Sequence, residues 1–429
     1  MARERQRTYF AVIGAPEVRN AHSTGARPAR DLFVNLRYER ISCMDGTIAV
    51  TSDVRWLGVN DHDTELFEAI WPLPQGVCYN SYLMIDEKIT LIDTVKGNYF
   101  GQFLEKLRRD LPEGRSVDYL VVNHMEPDHS GSLGVLLELY PGMRIIGNKK
   151  TADLLNNFYG ITDNIRVVAD GDTLDTGRHK LRFFTTPMVH WPESMVTYDH
   201  TDRVLFSSDI FGGFGVLSGG IFDDEVNLGH FEDEILRYFS NIVGKYSTMA
   251  QKAIRRLDGI EIAVIAPAHG PVFRKNPRYI VDLYDRWSRY EGEDGAVVAY
   301  ASMYRNTEKM AEAVARSLAV EGICCVRLHN VSKTHLSYLI RDTAKLFPLM
   351  DLFVRHLDHR MMQHRILGIF GSYSWSGGAL KDLKGFAGEG KWNVVQPTIE
   401  AKSAPTDDNL DACRELGSNI AGELRKKEG

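Results

Sequence analysis

The sequence predicts an α/β protein of two domains, in which a sandwich of two β-sheets with outer helices precedes a doubly wound parallel sheet. The chain has 429 residues, which is too long for one ordinary domain. From about residue 45 to 287, short apolar runs recur between clusters of Gly, Asp and Asn, as in packed strands. From residue 296, strand and helix patterns alternate, which is typical of a parallel sheet. The polar segment 288–295 separates the two patterns, so we expect domains at 44–287 and 296–429.

The strands and helices follow from apolar periodicity and its interruptions. In the first domain, strands are predicted at Val77–Ile85, Ile89–Asp93, Val117–Asn123, Leu181–Thr185, Arg203–Ser207 and Glu261–Ala266, with helices near 98–109, 132–139, 151–157, 233–256 and 276–289. In the second, strands are predicted at Ala296–Ala301, Ile323–Leu328, 366–371 and 392–395, with helices at Thr307–Leu318, 335–343, 347–361, 376–385 and 408–426. Two layers of strands with helices outside make the first domain an αββα sandwich.

The composition is that of a soluble globular protein. Hydrophobic residues make up 44% and charged residues 25% of the chain, and the net charge is −6. This balance offers no basic field for nucleic acid, and no apolar run approaches the roughly 18 residues of a spanning helix. The five cysteines form no CxxC pair, which argues against a disulfide scaffold, a rubredoxin-type iron site or a zinc ribbon. We therefore expect a cytoplasmic protein that binds neither nucleic acid nor membrane.

Residues 1–43 differ from the rest of the chain. The first 30 residues hold six arginines, no lysine and two glutamates, with little apolar periodicity. A targeting peptide is one interpretation, because such segments are rich in arginine and poor in acids. We favour a disordered extension, or a start site placed too early, since no secretory apolar core follows the arginines.

The most informative segment follows the strand Val117–Asn123. It reads His124-Met-Glu126-Pro-Asp128-His129. Four potential metal ligands in six residues, with a proline that stiffens the loop, would lie at the carboxyl end of a strand, where open α/β sheets place their ligands. A polar turn with an Asp cap is the ordinary alternative, but a cluster this dense favours a metal site.

Three further potential ligands follow at long intervals, each in a loop beside a hydrophobic strand. They are His190, Asp209 and His269. Taken singly, each is more typical of a cap or a loop residue, but together they indicate a shared site. Four histidines and three carboxylates suit two metals about 3.5–4 Å apart, with Asp209 as the bridge. A set of His and carboxylate ligands without thiolate suits iron or manganese and leaves zinc possible.

Two loops of the second domain have the composition of a flavin site. The first holds Ser302, Met303, Tyr304, Arg305, Asn306 and Thr307, where hydroxyls and helix-start amides can cradle a phosphate. It is neither a Walker loop nor GxGxxG, which disfavours ATP and a Rossmann-bound nucleotide. The second loop holds Ser372, Tyr373, Ser374, Trp375 and Gly377, whose aromatic rings can lie against a flat isoalloxazine. An ordinary Ser/Thr cap and a buried aromatic turn are the alternatives.

The metal motif resembles that of the metallo-β-lactamase superfamily. Its zinc hydrolases usually carry His-x-His-x-Asp-His, and Glu126 stands where their second His would be. This hard oxygen ligand favours a ferric ion and therefore a redox metal. With Gly58–Glu68, Trp71–Tyr82 and Phe211–Gly215, the sequence is similar to the flavodiiron proteins over roughly 45–429. In such a site a water could take the place of His129.

The resemblance implies a metallo-β-lactamase-like domain with two irons and a flavodoxin-like domain with FMN. FMN would pass electrons to the diiron site, which would reduce dioxygen to water or nitric oxide to nitrous oxide. A separate rubredoxin or NAD(P)H-linked reductase would be the electron donor. The resemblance also implies a head-to-tail homodimer. His62 is either a proton donor of the distal pocket or a surface histidine.

One departure concerns the flavodoxin-like sheet. A sheet of order 2-1-3-4-5 has five strands, but no strand pattern separates the helices 335–343 and 347–361. The resemblance places the central strand and a flavin-contacting loop there, so roughly twenty residues are missing. We expect a sheet that lacks one strand, through divergence or through a deletion in the recorded sequence.

Two other functions stay open. A binuclear zinc hydrolase would act on an ester, thioester or phosphoester through a metal-bound hydroxide. A metal-stabilised scaffold would use a degenerate flavodoxin module as a docking surface. Glu126 and the second domain count against the hydrolase, and the missing strand is the only support for the scaffold.

Overall fold

A computed structural model describes residues 48–291, 295–302, 304–343, 365–373, 379–402 and 405–426. The predicted extension 1–43, the whole of the predicted helix 347–361 and the place of the missing strand lie outside these residues. None of the described helices is both long and apolar enough to cross a membrane.

Two β-sheets pack face to face in the first domain. The larger has seven strands, in the order Ile48–Ala49, Val54–Trp56, Tyr82–Met84, Thr90–Ile92, Tyr119–Val121, Arg144–Gly147 and Ile165–Val167. The smaller has five, in the order Thr173–Asp175, Lys180–Thr185, Met195–Asp199, Val204–Ser208 and Val264–Pro267. Side chains of both sheets meet in one buried apolar cluster, in which the rings of Tyr82 and Phe206 lie 5.3 Å apart. This layering is the predicted sandwich.

Helices cover the outer faces of the sandwich and bury a second apolar cluster against it. They are Phe100–Asp110, Pro127–Ser130, Leu133–Leu139, Lys149–Tyr159, Leu228–Tyr238, Ser247–Arg256 and Pro277–Ser288. Two short ribbons complete the domain, pairing Val59–Asp61 with Val77–Tyr79 and Leu66–Phe67 with Trp71–Pro72.

The predicted strand Val77–Ile85 is broken in the structure. Val77–Tyr79 belongs to a two-stranded ribbon and Tyr82–Met84 to the seven-stranded sheet. Between them, the buried Asn80 amide donates to the carbonyls of Pro267 and Gly270 at 2.9 and 3.0 Å. These two hydrogen bonds hold the chain between the two strands against the end of the strand Val264–Pro267, just before His269.

The predicted helix 233–256 is also broken. Leu228–Tyr238 runs into a π-helical turn at Phe239–Val243, and Ser247–Arg256 follows after a short 3₁₀ turn. The Asn241 amide donates to the carbonyl of Arg237 at 2.7 Å. A side chain that competes for helix carbonyls in this way widens the turn, and sequence periodicity does not register it.

The second domain contains four described strands in two parallel pairs. Gly295–Tyr300 pairs with Cys325–Asn330, and Ile366–Tyr373 pairs with Asn393–Lys402. In a sheet of order 2-1-3-4-5, the third strand separates these two pairs. Within the described ranges no ladder joins the two pairs, and the segment in which the third strand would lie is outside those ranges, so the missing strand stays a prediction. The helices of this domain are Asn306–Val320, Leu336–Thr343, Ala379–Glu389 and Asp407–Arg425.

The helix Leu336–Thr343 packs against the first domain. Its Leu336 and Ile340 are buried in the same apolar cluster as Ile235. This helix follows the predicted linker 288–295 in sequence, and yet it shares a core with residues that precede the linker. The domain boundary therefore stays a prediction.

Candidate metal centre

The loop after the strand Tyr119–Val121 is fixed at its root by a buried carboxylate. Asp93 accepts from the backbone N–H of Asn123 at 2.7 Å and from its side-chain amide at 3.0 Å. The short helix Pro127–Ser130 then turns the chain, with Pro at its first position. This local structure points the four potential ligands of the motif into one buried space.

The first group of potential ligands consists of His124, Glu126, His190 and Asp209, whose donor atoms all lie within 4.8 Å of one another. Nε2 of His190 is 3.0 Å from Oε2 of Glu126 and 3.1 Å from Oδ2 of Asp209. Nε2 of His124 is 3.2 Å from the same glutamate oxygen. Two imidazoles and two carboxylates therefore converge on one point.

The second group consists of Asp128, His129 and His269. Nε2 of His129 lies 3.2 Å from Oδ1 of Asp209, and Nε2 of His269 lies 3.5 Å from the same oxygen. Because Oδ2 of Asp209 faces the first group, one carboxylate presents an oxygen to each group. This is the geometry that the bridging assignment of Asp209 requires.

Many polar atoms of the two groups are buried without hydrogen bonds to the described residues. They are both carboxylate oxygens of Asp128 and of Asp209, both ring nitrogens of His129, and Nε2 of His190 and of His269. A buried polar atom without a partner costs about 1–3 kcal/mol, so such a set is stabilised when something binds it. A pair of cations fits these nitrogen and oxygen donors, and the three carboxylates nearly balance their charge.

The electrostatics of the site favour a cation. Burial lowers the pKa values of His124, His190 and His129, but the facing carboxylates outweigh burial and raise them to about 10, about 10 and about 9. The imidazoles in turn hold the pKa of Asp209 well below its usual range, against the effect of burial. Without a cation these three histidines hold protons, and a bound metal takes their place.

Aromatic rings enclose the second group. The ring centroids of Phe67, Tyr79 and Tyr238 lie 5.5, 5.8 and 5.6 Å from that of His269. Tyr79 donates its hydroxyl to the buried Asp61 at 3.0 Å. The buried hydroxyl of Tyr238 has no hydrogen-bond partner in the described ranges, and burial with nearby carboxylates raises its pKa well above the usual value. This hydroxyl therefore keeps its proton beside the site.

Sequence reasoning missed the groups that orient the ligands. Nδ1 of His124 donates to Glu193 at 2.8 Å, and Nδ1 of His269 donates to the carbonyl of Cys78 at 2.8 Å. Each bond leaves Nε2 facing the site. The signal for Glu193 was an acid three residues after His190 in an otherwise largely apolar stretch, but a backbone carbonyl leaves no trace in the sequence.

The end of the first predicted flavin loop lies beside the start of the second. Oγ1 of Thr307 lies 2.9 Å from Oγ of Ser372, at the start of the 15-residue helix Asn306–Val320. Hydroxyls and free amides at a helix start fit a phosphate such as that of FMN. Ser302, Tyr304, Arg305 and Asn306 line the same turn, Arg305 in the left-handed region with φ of 66°. Met303, Ser374, Trp375 and Gly377 lie outside the described residues, and Tyr373 ends its strand.

His62 is exposed. It lines a cavity of about 450 Å³ together with Gln75, Asn227 and His230. Its role as a proton donor stays a prediction.

Known proteins resemble this chain over most of its length. The family model described as ODP family beta lactamase matches residues 77–270. A nitric oxide reductase of Moorella thermoacetica is 31% identical over 400 residues, which are 89% of this chain and 100% of that protein. An anaerobic nitric oxide reductase flavorubredoxin of Escherichia coli O1:K1 is 32% identical over 395 residues, which are 87% of this chain and 82% of that protein.

Solved structures agree. Rubredoxin oxygen:oxidoreductase from Desulfovibrio gigas has a TM-score of 0.83 at 29% identity and covers 90% of this chain and 100% of its own. The flavodiiron protein from Giardia intestinalis has a TM-score of 0.82 at 25% identity, with 89% and 97% covered. A metallo-β-lactamase-like sandwich with two ligand groups that share a carboxylate defines the class of this protein. The chain belongs to the flavodiiron protein family, as the metal motif predicted, and the predicted fold class is confirmed.

Proposed function

We propose that this chain is a flavodiiron oxidoreductase, which takes electrons from an external donor through FMN to a diiron site and reduces dioxygen to water, nitric oxide to nitrous oxide, or both. The observation that carries this function is the pair of buried ligand groups on the two oxygens of Asp209. Relatives named as nitric oxide reductase and as rubredoxin oxygen:oxidoreductase support the two substrates. The zinc hydrolase alternative is not favoured.

The ligand set that we propose has seven members. They are His124, Glu126, Asp128, His129, His190, Asp209 and His269. When bound there, iron supplies the reducing electrons and FMN replenishes them. The protein holds the ligands rigidly, since Glu193 and the Cys78 carbonyl fix two of the imidazoles. The rings of Phe67, Tyr79 and Tyr238 exclude water, and the Tyr238 hydroxyl keeps a proton close to the reacting molecule.

We further propose that the flavin domain of a second copy lies over the metal centre, in a head-to-tail homodimer. Exposed apolar side chains flank the site: Leu66 and Ile70 lie beside Glu68, and Phe158 is 52% exposed. The ring of Phe158 is 6.4 Å from that of Trp191, which is 5.1 Å from His124. These rings lead from the surface to a ligand, so a flavin docked here would lie close to the metals.

A rubredoxin or an NAD(P)H-linked reductase is the donor that we propose, because a related structure is named for rubredoxin and a relative is named flavorubredoxin. We also propose a cytoplasmic location, which is supported by the free thiols of the four described cysteines.

The test counts iron, zinc and FMN in the purified full chain and then measures consumption of dioxygen and nitric oxide with reduced rubredoxin. We expect about two irons and one FMN, with turnover on at least one gas. Zinc without flavin would overturn the proposal, and two irons without flavin would overturn its electron path.

A matched variant is Glu126→His, which restores the histidine usual in zinc hydrolases. We expect it to keep two metals, to shift the preference from iron toward zinc and to lose gas consumption, because the hard oxygen ligand is replaced. Unchanged iron retention and turnover would contradict the role of Glu126.

A further inference from the structure

The two ligand groups differ in what lies behind their histidines. Nδ1 of His124 donates to the carboxylate of Glu193, whereas Nδ1 of His269 donates to a backbone carbonyl, both at 2.8 Å. Both acceptors turn Nε2 toward the site. Only the carboxylate carries a full charge, so the hydrogen bond to His124 is the stronger one and makes this imidazole the better donor to a cation.

Glu193 has a fixed position that does not depend on His124 alone. Its side chain is fully buried, and Oε1 also accepts from the backbone N–H of Met125 at 3.0 Å. The Asn148 amide donates to the backbone carbonyl of Glu193 at 2.5 Å. Oε2 accepts no hydrogen bond from the described residues. The negative charge is therefore held in one place and is offset by the first ligand group.

The two groups are unequal in charge. The first group faces Glu126, Glu193 and one oxygen of Asp209. The second group faces Asp128 and the other oxygen of Asp209. Beyond the shared carboxylate, two carboxylates contact the first group directly and one contacts the second, while the buried Asp93 faces a histidine of each group. Solvent screens buried charges less than exposed ones, so the first position is the more negative of the two.

We propose that Glu193 is a positioning residue that makes the two metal positions unequal, so that the position of His124, Glu126 and His190 is the tighter one and the one that better holds the more highly charged ion. The inequality rests on the proposed two-metal site. Glu193 is not itself a metal ligand, and yet through this inequality it decides which of the two irons is more easily oxidised.

The test is a titration of metal-free full chain with Co²⁺ alone. In the unaltered protein we expect two binding constants that differ by roughly tenfold or more. Asp128→Ala, which removes a ligand of the second group, should abolish the weaker constant and leave the tighter one. Two constants within threefold of each other, or loss of the tighter one in this variant, would overturn the proposal without any change at Glu193.

Glu193→Gln then isolates the charge. A glutamine oxygen in the place of Oε1 keeps both hydrogen bonds, and its amide falls where Oε2 has no partner. We expect the tighter constant alone to weaken roughly 10–100-fold, so that the two constants approach each other. Equal weakening of both constants, or of neither, would overturn the proposal.

The matched control is Asp199→Asn, which makes the same change in a buried His and carboxylate pair outside the two ligand groups, where Asp199 lies 2.9 Å from Nδ1 of His179. It should leave both cobalt constants unchanged. A spectroscopic readout completes the test: in iron-loaded protein, Glu193→Gln should raise the midpoint potential of one iron and leave the other. Because neither readout needs turnover, failure of this inference and failure of the reductase function are separate outcomes.

Discussion

Asp209 connects the two ligand groups because each of its oxygens faces a different one. Oδ2 lies 3.1 Å from His190 and Oδ1 lies 3.2 Å from His129. The sequence predicted this residue as the bridge from its place after a strand and from the count of ligands. The sequence could not predict which oxygen faces which group, because that depends on how two strands far apart in the chain are packed.

We predict that Asp209→Ala loses both metals, whereas Asp128→Ala loses mainly one. Removing the shared carboxylate takes a ligand from each group at once, but Asp128 belongs to the second group alone. Iron per chain, measured by elemental analysis, should fall from about two to well below one in the first variant and to about one in the second. Retention of two irons in Asp209→Ala would contradict the bridging role.

A second buried imidazole has no part in the metal centre. His179 donates from Nδ1 to Asp199 at 2.9 Å, and its Nε2 lies 3.1 Å from Asp53. Burial lowers the pKa of His179, but the hydrogen bonds to these two carboxylates outweigh burial and raise it to about 9. The guanidinium of Arg178 pairs with Asp53 and with Asp202 on the same surface.

This pair predicts a pH dependence of stability. Because the folded pKa of about 9 exceeds the ordinary value of 6.5, the charged pair stabilises the fold fully below pH 6.5 and loses its contribution as pH rises through 9. The loss should be roughly 3 kcal/mol. Urea unfolding gives the free energy of unfolding at each pH, and in Asp199→Asn this free energy should fall less between pH 6.5 and 9 than in the unaltered protein. The same pH profile in both proteins would contradict the role of the His179–Asp199 pair.

At the scale of elements, the helix Lys149–Tyr159 is tied to the metal centre through its cap. The Asn148 side chain accepts from the backbone N–H groups of Lys150 and Thr151 at 3.0 and 3.1 Å. Its amide donates to the carbonyl of Glu193. Asn148 thus satisfies two free backbone N–H groups at the start of the helix, and it also fixes the loop that carries Glu193.

We predict that Asn148→Ala destabilises the protein by about 1 kcal/mol through loss of the cap. Asn148→Asp keeps the oxygen that caps the helix but loses the N–H that donates to the carbonyl of Glu193. Any loss of stability in this variant should therefore come from the loop that carries Glu193. Chemical denaturation of both variants gives the free energies of unfolding, and their metal contents give the effect on the loop. Equal stability of all three proteins would contradict this account.

At the scale of the whole molecule, a buried ion pair within the helix Leu228–Tyr238 contacts a helix that lies far along the chain. Nε of the fully buried Arg237 donates to Glu234 at 3.1 Å, and its guanidinium lies 4.5 Å from the ring of Phe214 and 5.2 Å from that of Tyr338. Tyr338 belongs to the helix Leu336–Thr343. The ion pair thus lies between this helix and Phe214, whose ring packs against Phe67 and Tyr238 beside the metal centre.

We predict that Arg237→Met costs about 3–5 kcal/mol of unfolding free energy, because Glu234 is left buried without its partner. The double variant Arg237→Met and Glu234→Gln should recover much of this loss, since no buried charge remains. Denaturation of the four proteins completes a double-mutant cycle. A loss in the double variant equal to the sum of the single losses would show that the pair is not coupled.

The sequence by itself determined the fold class and the family, and it predicted the ligand types, their spacing and the flavin loops, because these depend on residue identity at the ends of predictable strands. The break of the helix 233–256 escaped periodicity, since the Asn241 side chain competes for helix carbonyls only in the folded turn. Only the tertiary structure decided four features: the role of Glu193, the role of the Cys78 carbonyl, the two faces of Asp209 and the contact between Arg237 and Tyr338. Each is an interaction between segments far apart in the chain, and such interactions depend on packing geometry rather than on local sequence pattern.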